Sequence, residues 1–107
     1  MPTPFALVMT TCGGKPEAEL IATRLVEECL SACVQMFPIE SVYRWDGAVQ
    51  RANEWMLFCK IKSHDYGNVE AAIRAANTYS NPEIVEISIE QGAQAYLNWI
   101  ASVTGKE

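Results

Sequence analysis

The sequence predicts an α+β fold, a ferredoxin-like β-α-β-β-α-β sandwich with a long central β-hairpin and a C-terminal helix. Three observations carry that prediction. Strand-like and helix-like stretches follow one another in the order β-α-β-β-α-β, which is the split β-α-β plan of one antiparallel sheet with helices on one face. Asp46-Gly47 separates two β-rich runs, and a two-residue hairpin turn needs residues that tolerate positive φ. The 107 residues are half hydrophobic and one-fifth charged, enough for a single core in one domain, 1–107.

Each element has its own local reason. Phe5–Met9 is a short unbroken apolar run and suits a strand in the middle of the sheet. Thr10–Lys15 turns, punctuated by Gly13-Gly14. Pro16 suits the first position of a helix, and Glu17 and Glu19 complement its positive N-terminal dipole. Ala18, Ile21, Ala22, Leu25, Cys29 and Ala32 repeat at helical spacing.

The hairpin follows, outgoing over Cys33–Trp45 and returning over Ala48–Lys62. Pro38 lacks a donor, so a bulge or bend is expected there. At about 3.3 Å per residue the return strand reaches about 45–50 Å. A domain of this size is roughly 30–35 Å across. The ribbon should therefore overshoot its own globule, with Tyr43, Trp45, Val49 and Trp55 offered to partner strands. The bare face of the sheet gives a second reason to expect assembly.

A second helix reads from about Asp65 to Asn77, with Val69, Ala72, Ile73 and Ala76 as its buried stripe. Thr78–Pro82 is a loop. Glu83–Glu90 alternates, with Val85, Ile87 and Ile89 on one face and Ile84, Glu86 and Ser88 on the other. Gly92 breaks the pattern, and a last helix over about Ala93–Val103 turns Tyr96, Leu97, Ile100 and Val103 inward.

The charge balance, 8 Lys+Arg against 13 Asp+Glu, gives −5 and contains no basic run. That argues against nucleic acid or an anionic membrane surface as a partner. The apolar runs are strand-sized, so no membrane-spanning helix is expected. No signal-peptide pattern is read at the N-terminus, so a cytoplasmic location is expected, with Cys12, Cys29, Cys33 and Cys59 as reduced thiols. None of the four forms a Cys-x-x-Cys pair, and free Cys commonly packs as a small hydrophobe.

Candidate chemistry is sparse. Thr10–Lys15 precedes a helix N-terminus, but it is no Walker loop and carries no arginine, so a plain strand-to-helix turn is the better reading. His64 is the only histidine and lies beside Asp65 at a helix start. One histidine supports neither a catalytic set nor a metal centre without further ligands. Tyr43, Arg44 and Trp45, with Tyr79 and Trp99, are better read as packing at a subunit interface than as ligand binders; the second reading is a cleft between subunits in which Lys62 would place a cation. No acid/base pair or activated nucleophile is evident, so no enzymatic activity is expected.

Taken together, Leu30-Ser31-Ala32-Cys33-Val34, Ser41-Val42-Tyr43-Arg44-Trp45-Asp46-Gly47, Ile61-Lys62-Ser63, Tyr79 with Pro82-Glu83-Ile84, and Tyr96-Leu97-Asn98-Trp99-Ile100 make the chain similar to the CutA-type divalent-cation tolerance proteins. The early Thr-Thr-Cys turn adds to the match, which covers essentially the whole chain. The resemblance implies a ferredoxin-like subunit, a homotrimer joined by long hairpin strands, a cytoplasmic home, and a link to Cu²⁺ or other divalent metals. Candidate metal ligands are Cys12, Cys33, His64 and Glu83; the candidate ligand cleft is Arg44, Trp45, Lys62 and Tyr79. An alternative is a signalling or scaffold trimer holding a small anion between subunits. One departure stands out. The family usually reads His-Pro-Tyr-Glu-x-Pro-Glu, where this chain has Asn77-Thr78-Tyr79-Ser80-Asn81-Pro82-Glu83, so Asn77 replaces the histidine proposed as a metal ligand. The cysteine that some members carry at the end of the first strand matches Thr10 here.

Overall fold

The computed structural model describes residues 3–105. Their elements are β1 (Phe5–Cys12), α1 (Lys15–Glu27), β2 (Cys33–Trp45), β3 (Ala48–Lys62), a 3₁₀ turn (Ser63–Asp65), α2 (Tyr66–Ala76), β4 (Ile84–Ser88) and α3 (Gln94–Val103). The four strands form one antiparallel sheet in the order β2-β3-β1-β4. The α+β prediction holds.

Alternation sorts the side chains between two faces. Ala6, Val8 and Cys12 of β1 and Leu57, Cys59 and Ile61 of β3 point toward α1 and α2, where they meet Ala18, Ile21, Leu25, Val69 and Ile73 in the buried core. Leu7, Met9, Met56, Phe58, Val85 and Ile87 point the other way. That face is only partly covered, near Lys60, whose ammonium sits 5.6 Å from the Tyr96 ring of α3. Val85 and Ile87 stay exposed.

The structure corrects several boundaries. β1 runs on to Cys12, because Thr10, Thr11 and Cys12 continue the ladder against Leu57, Met56 and Trp55. β4 is shorter than the alternating run and covers Ile84–Ser88. α1 stops at Glu27, so Cys29 and Ala32 are not part of a helical stripe. Leu30 N–H donates to Leu25 O and Cys29 N–H to Val26 O, both at 3.0 Å, which is the paired bonding of a Schellman end. Cys29 occupies its left-handed position, with φ 59°. Tyr96, expected inward, is exposed, while Ile100 is buried.

Pro38 produces no bulge. The β2–β3 register is unbroken from Cys33↔Lys60 through Pro38↔Trp55 to Trp45↔Ala48. β2 is an edge strand, where alternate N–H groups face away from the ladder and a missing donor costs nothing. At the far end Asp46 and Gly47 both have positive φ, 54° and 77°, as a tight hairpin turn requires.

β1 pairs with β3 only as far as Cys12↔Trp55. Beyond that point, among the described residues, Ile39–Trp45 and Ala48–Glu54 have no strand partner but each other. This two-stranded ribbon gives the chain its long dimension, 44 Å against 28 and 22 Å.

Candidate functional site

The ribbon does not project into empty space on every side. The segment joining α2 to β4 folds back against its root and is tied there by side chains. Asn77 uses both ends of its amide: Nδ2 donates to Thr11 O at 2.9 Å, and Oδ1 accepts from Tyr79 N–H at 2.8 Å. Thr78 N–H donates to Glu17 Oε2 at 2.9 Å. Tyr79 Oη then donates to Glu54 Oε2 at 2.7 Å, which joins the segment to β3.

Between this strap and the ribbon lies an open groove of about 720 Å³. Ser41, Tyr43 and Trp45 wall it from β2 and Glu54 from β3. Thr11, Tyr79, Ser80, Asn81 and Glu83 complete it, and Glu40 and Val42 border it from the ribbon's other face. Its charged members are all carboxylates: Glu40, Glu54 and Glu83. Burial, and then the charge of Glu54, push Glu83 above its ordinary value. Burial and the bond to Glu54 push the Tyr79 phenol well above its own, so Tyr79 is a firm donor across the working pH range.

Two of the four expected cleft residues, Trp45 and Tyr79, meet in this groove, and the other two do not. Arg44 is one residue from Trp45 and so stands on the opposite face of the ribbon. Lys62 is at the other end of β3, where its ammonium donates to Thr104 O at 3.3 Å. Among the described residues, therefore, no Lys or Arg lines the groove.

The expected metal ligands are divided between two ends of the sheet. Cys12 ends β1 and is buried, its thiol donating to Gly14 O at 3.5 Å. Burial raises its pKa, and the nearby Glu17 and Glu54 carboxylates raise it further. Glu83 is at the same end, close enough to Glu54 to feel its charge. Cys33 starts β2 opposite Lys60, toward the other end. His64 is solvent-exposed beyond β3, with Nε2 3.3 Å from Asp65 Oδ1. Among the described residues no three His, Cys, Asp or Glu side chains converge as a metal-holding group. Cys59 is buried and pushed up to about 12, first by desolvation and then by the neighbouring Cys33. All four cysteines are free thiols. Thr10 is buried on the helix side with no partner for its hydroxyl among the described residues.

Among the expected interface residues, Tyr43, Trp45 and Val49 are exposed on the ribbon, Val49 most of all at 63%. Trp55 is half-buried at its root, with the Lys15 ammonium 5.8 Å from its ring. Glu54 was not anticipated as a site residue. Its signal was the turn itself: a two-residue hairpin fixes the register, which puts Glu54 opposite Ile39 and on the same face as Tyr43 and Trp45.

The profile of the CutA1 divalent ion tolerance protein family matches residues 6–103. The chain belongs to the CutA1 family. A divalent-cation tolerance protein CutA from Archaeoglobus fulgidus is 38% identical over 93 residues, covering 87% of this chain and 91% of that protein. A solved structure of a protein from that organism, described as a periplasmic divalent cation tolerance protein, superposes with a TM-score of 0.91 at 35% identity, over 92% of this chain and 97% of that one. A CutA1 structure from the psychrotrophic bacterium Shewanella sp. SIB1 gives a TM-score of 0.95 at 33% identity, covering 99% of this chain and 100% of the other. The fit of this CutA1-family chain thus includes its ribbon as well as its core.

Proposed function

We propose that the chain works as a homotrimer in the handling of divalent metal ions, copper among them, and that it catalyses no reaction. The observation that carries the metal link is membership of a family described by divalent ion tolerance along nearly all of the chain. The trimer is supported by the ribbon, which exposes Val42, Tyr43, Trp45 and Val49 and has no third strand beside it past Cys12↔Trp55 among the described residues. A non-catalytic role is supported by the thiols. A thiolate is the reactive form, and burial holds Cys12 and Cys59 protonated.

The candidate ligands do not make a closed site in one chain, so a tight metal centre would have to draw a donor from a second copy. Cys12 is the thiol we assign to it, since Glu54 lies close by and Glu83 belongs to the same end of the sheet. Asn77 does not take part, because both ends of its amide are occupied by backbone groups. The acidic lining of the groove favours a cation over the small anion of the alternative reading. Four free cysteines suit a reducing compartment such as the cytoplasm.

Isothermal titration with Cu²⁺ tests this reading. A metal-bound cysteine must lose its proton, so uptake should strengthen as pH rises and should weaken in Cys12→Ser. Saturation that is indifferent to pH and to the loss of Cys12, Cys33, His64 or Glu83 would remove these ligands.

A further inference from the structure

The hairpin tip joins a reactive dipeptide to the least supported part of the fold. Of all the Asp and Asn residues in the chain, Asp46 alone is followed by glycine. Both turn residues are exposed, and among the described residues the Asp46 carboxylate has no ion pair. Gly47 brings no Cβ to shield its backbone nitrogen, and the space where one would stand is empty to 4 Å.

The side-chain carboxyl carbon of an aspartate lies within reach of the next residue's backbone nitrogen, because a bond between them closes a five-membered ring. The closed turn resists that step. It holds Asp46 at φ 54° and Gly47 at φ 77°, and ring closure needs the chain to rotate about the Asp46 Cα–C bond. The ribbon supplies that freedom. Past Cys12↔Trp55, among the described residues, β2 and β3 have no third strand beside them, and a two-stranded ribbon is marginal in water. Its tip therefore opens at small cost compared with the core. Asp46 also starts from a left-handed conformation that costs an L-residue energy, so opening relieves strain.

We propose that Asp46-Gly47 is a self-modification site at which the aspartate converts slowly to isoaspartate. The Gly47 nitrogen bonds to the Asp46 side-chain carboxyl carbon, and the carboxyl OH leaves with the amide hydrogen as water. Water then opens the cyclic imide at either carbonyl. Opening at the side-chain carbonyl restores aspartate. Opening at the main-chain carbonyl leaves that carbon as the free carboxylate and routes the chain through the side chain. The mass is unchanged, and no co-reactant enters beyond the water returned. The backbone gains one methylene, which a two-residue turn cannot hold without disturbing the Trp45↔Ala48 pair. The step is intramolecular and needs no second copy. Asp65 is the internal contrast, since it is buried directly before α2 and is followed by tyrosine.

Prolonged warm incubation of the whole protein in mildly acidic buffer, with trypsin digestion at intervals, tests the site. Trypsin releases Trp45–Arg51 as one peptide, because it cuts after Arg44 and Arg51. That peptide should split with time into two chromatographic forms of equal mass. Only the new form should accept a methyl group from S-adenosylmethionine through an isoaspartyl methyltransferase. The free peptide of the same sequence, incubated alongside, should isomerise several-fold faster, since no turn restrains it. Asp46→Glu should give a single form, because its ring would have six members and closes far more slowly. The unaltered protein and the free peptide need no variant, so the test survives a misfolded Asp46→Glu. A single form from the protein while the free peptide splits would overturn the site. So would an equal-mass pair that persists in Asp46→Glu, or methyl acceptance confined to the peptide that carries Asp65.

Discussion

Cys29 shows how a single residue carries a cost that its surroundings impose. Its left-handed conformation closes α1, and its carbonyl accepts the Gly105 N–H at 2.8 Å, so the backbone there is fixed from both sides. Glycine is the usual occupant of such a position, because a Cβ meets the following carbonyl. Cys29→Gly should stabilise the fold by about 0.5–1 kcal/mol, read from the denaturation midpoint at matched protein concentration. The sequence suggested otherwise, since Cys29 falls four residues after Leu25 and mimics the helical stripe. Spacing reports which residues recur on a face, but it does not report that the chain has turned. The groove was legible to a similar extent. Trp45 and Tyr79 were readable as cleft residues from their chemistry. Glu54 was readable only through register, and the docking of Tyr79 on it depends on the Asn77 and Glu17 ties, which no local pattern announces.

The ribbon is the element in which sequence and structure agree most closely. Its ends, Cys33–Trp45 and Ala48–Lys62, are those expected, because Asp46-Gly47 leaves the turn little freedom. Pro38 misleads only if the strand is assumed to be flanked on both sides; at an edge, its missing N–H faces outward. The turn is a pure backbone site, since a Cβ built on Gly47 meets nothing within 4 Å. Gly47→Ala should therefore cost about 1 kcal/mol or more through its φ of 77° alone. Thermal unfolding at fixed concentration would check this, and an unchanged midpoint would mean that the turn can relax. The helix and strand boundaries that moved, at β1, α1 and β4, did so where tertiary pairing extends or ends a local pattern. Thr10 and Thr11, for instance, join β1 because β3 offers ladder partners there.

The whole molecule is 44 Å long for a chain of 107 residues, because seven residue pairs, Ile39↔Glu54 through Trp45↔Ala48, extend past the last pairing of β1 with β3. A two-stranded ribbon is at best marginally stable alone in water. This one also exposes Val42, Tyr43, Trp45 and Val49, while Val85 and Ile87 lie bare on the far edge of the sheet. Burial at about 25 cal/mol per Å² would make covering these side chains the main gain of assembly. Light scattering on the purified chain, diluted through the micromolar range, tests this most directly. The account predicts a particle of about three times 11.9 kDa that persists on dilution, and a well-folded particle of 11.9 kDa would contradict it.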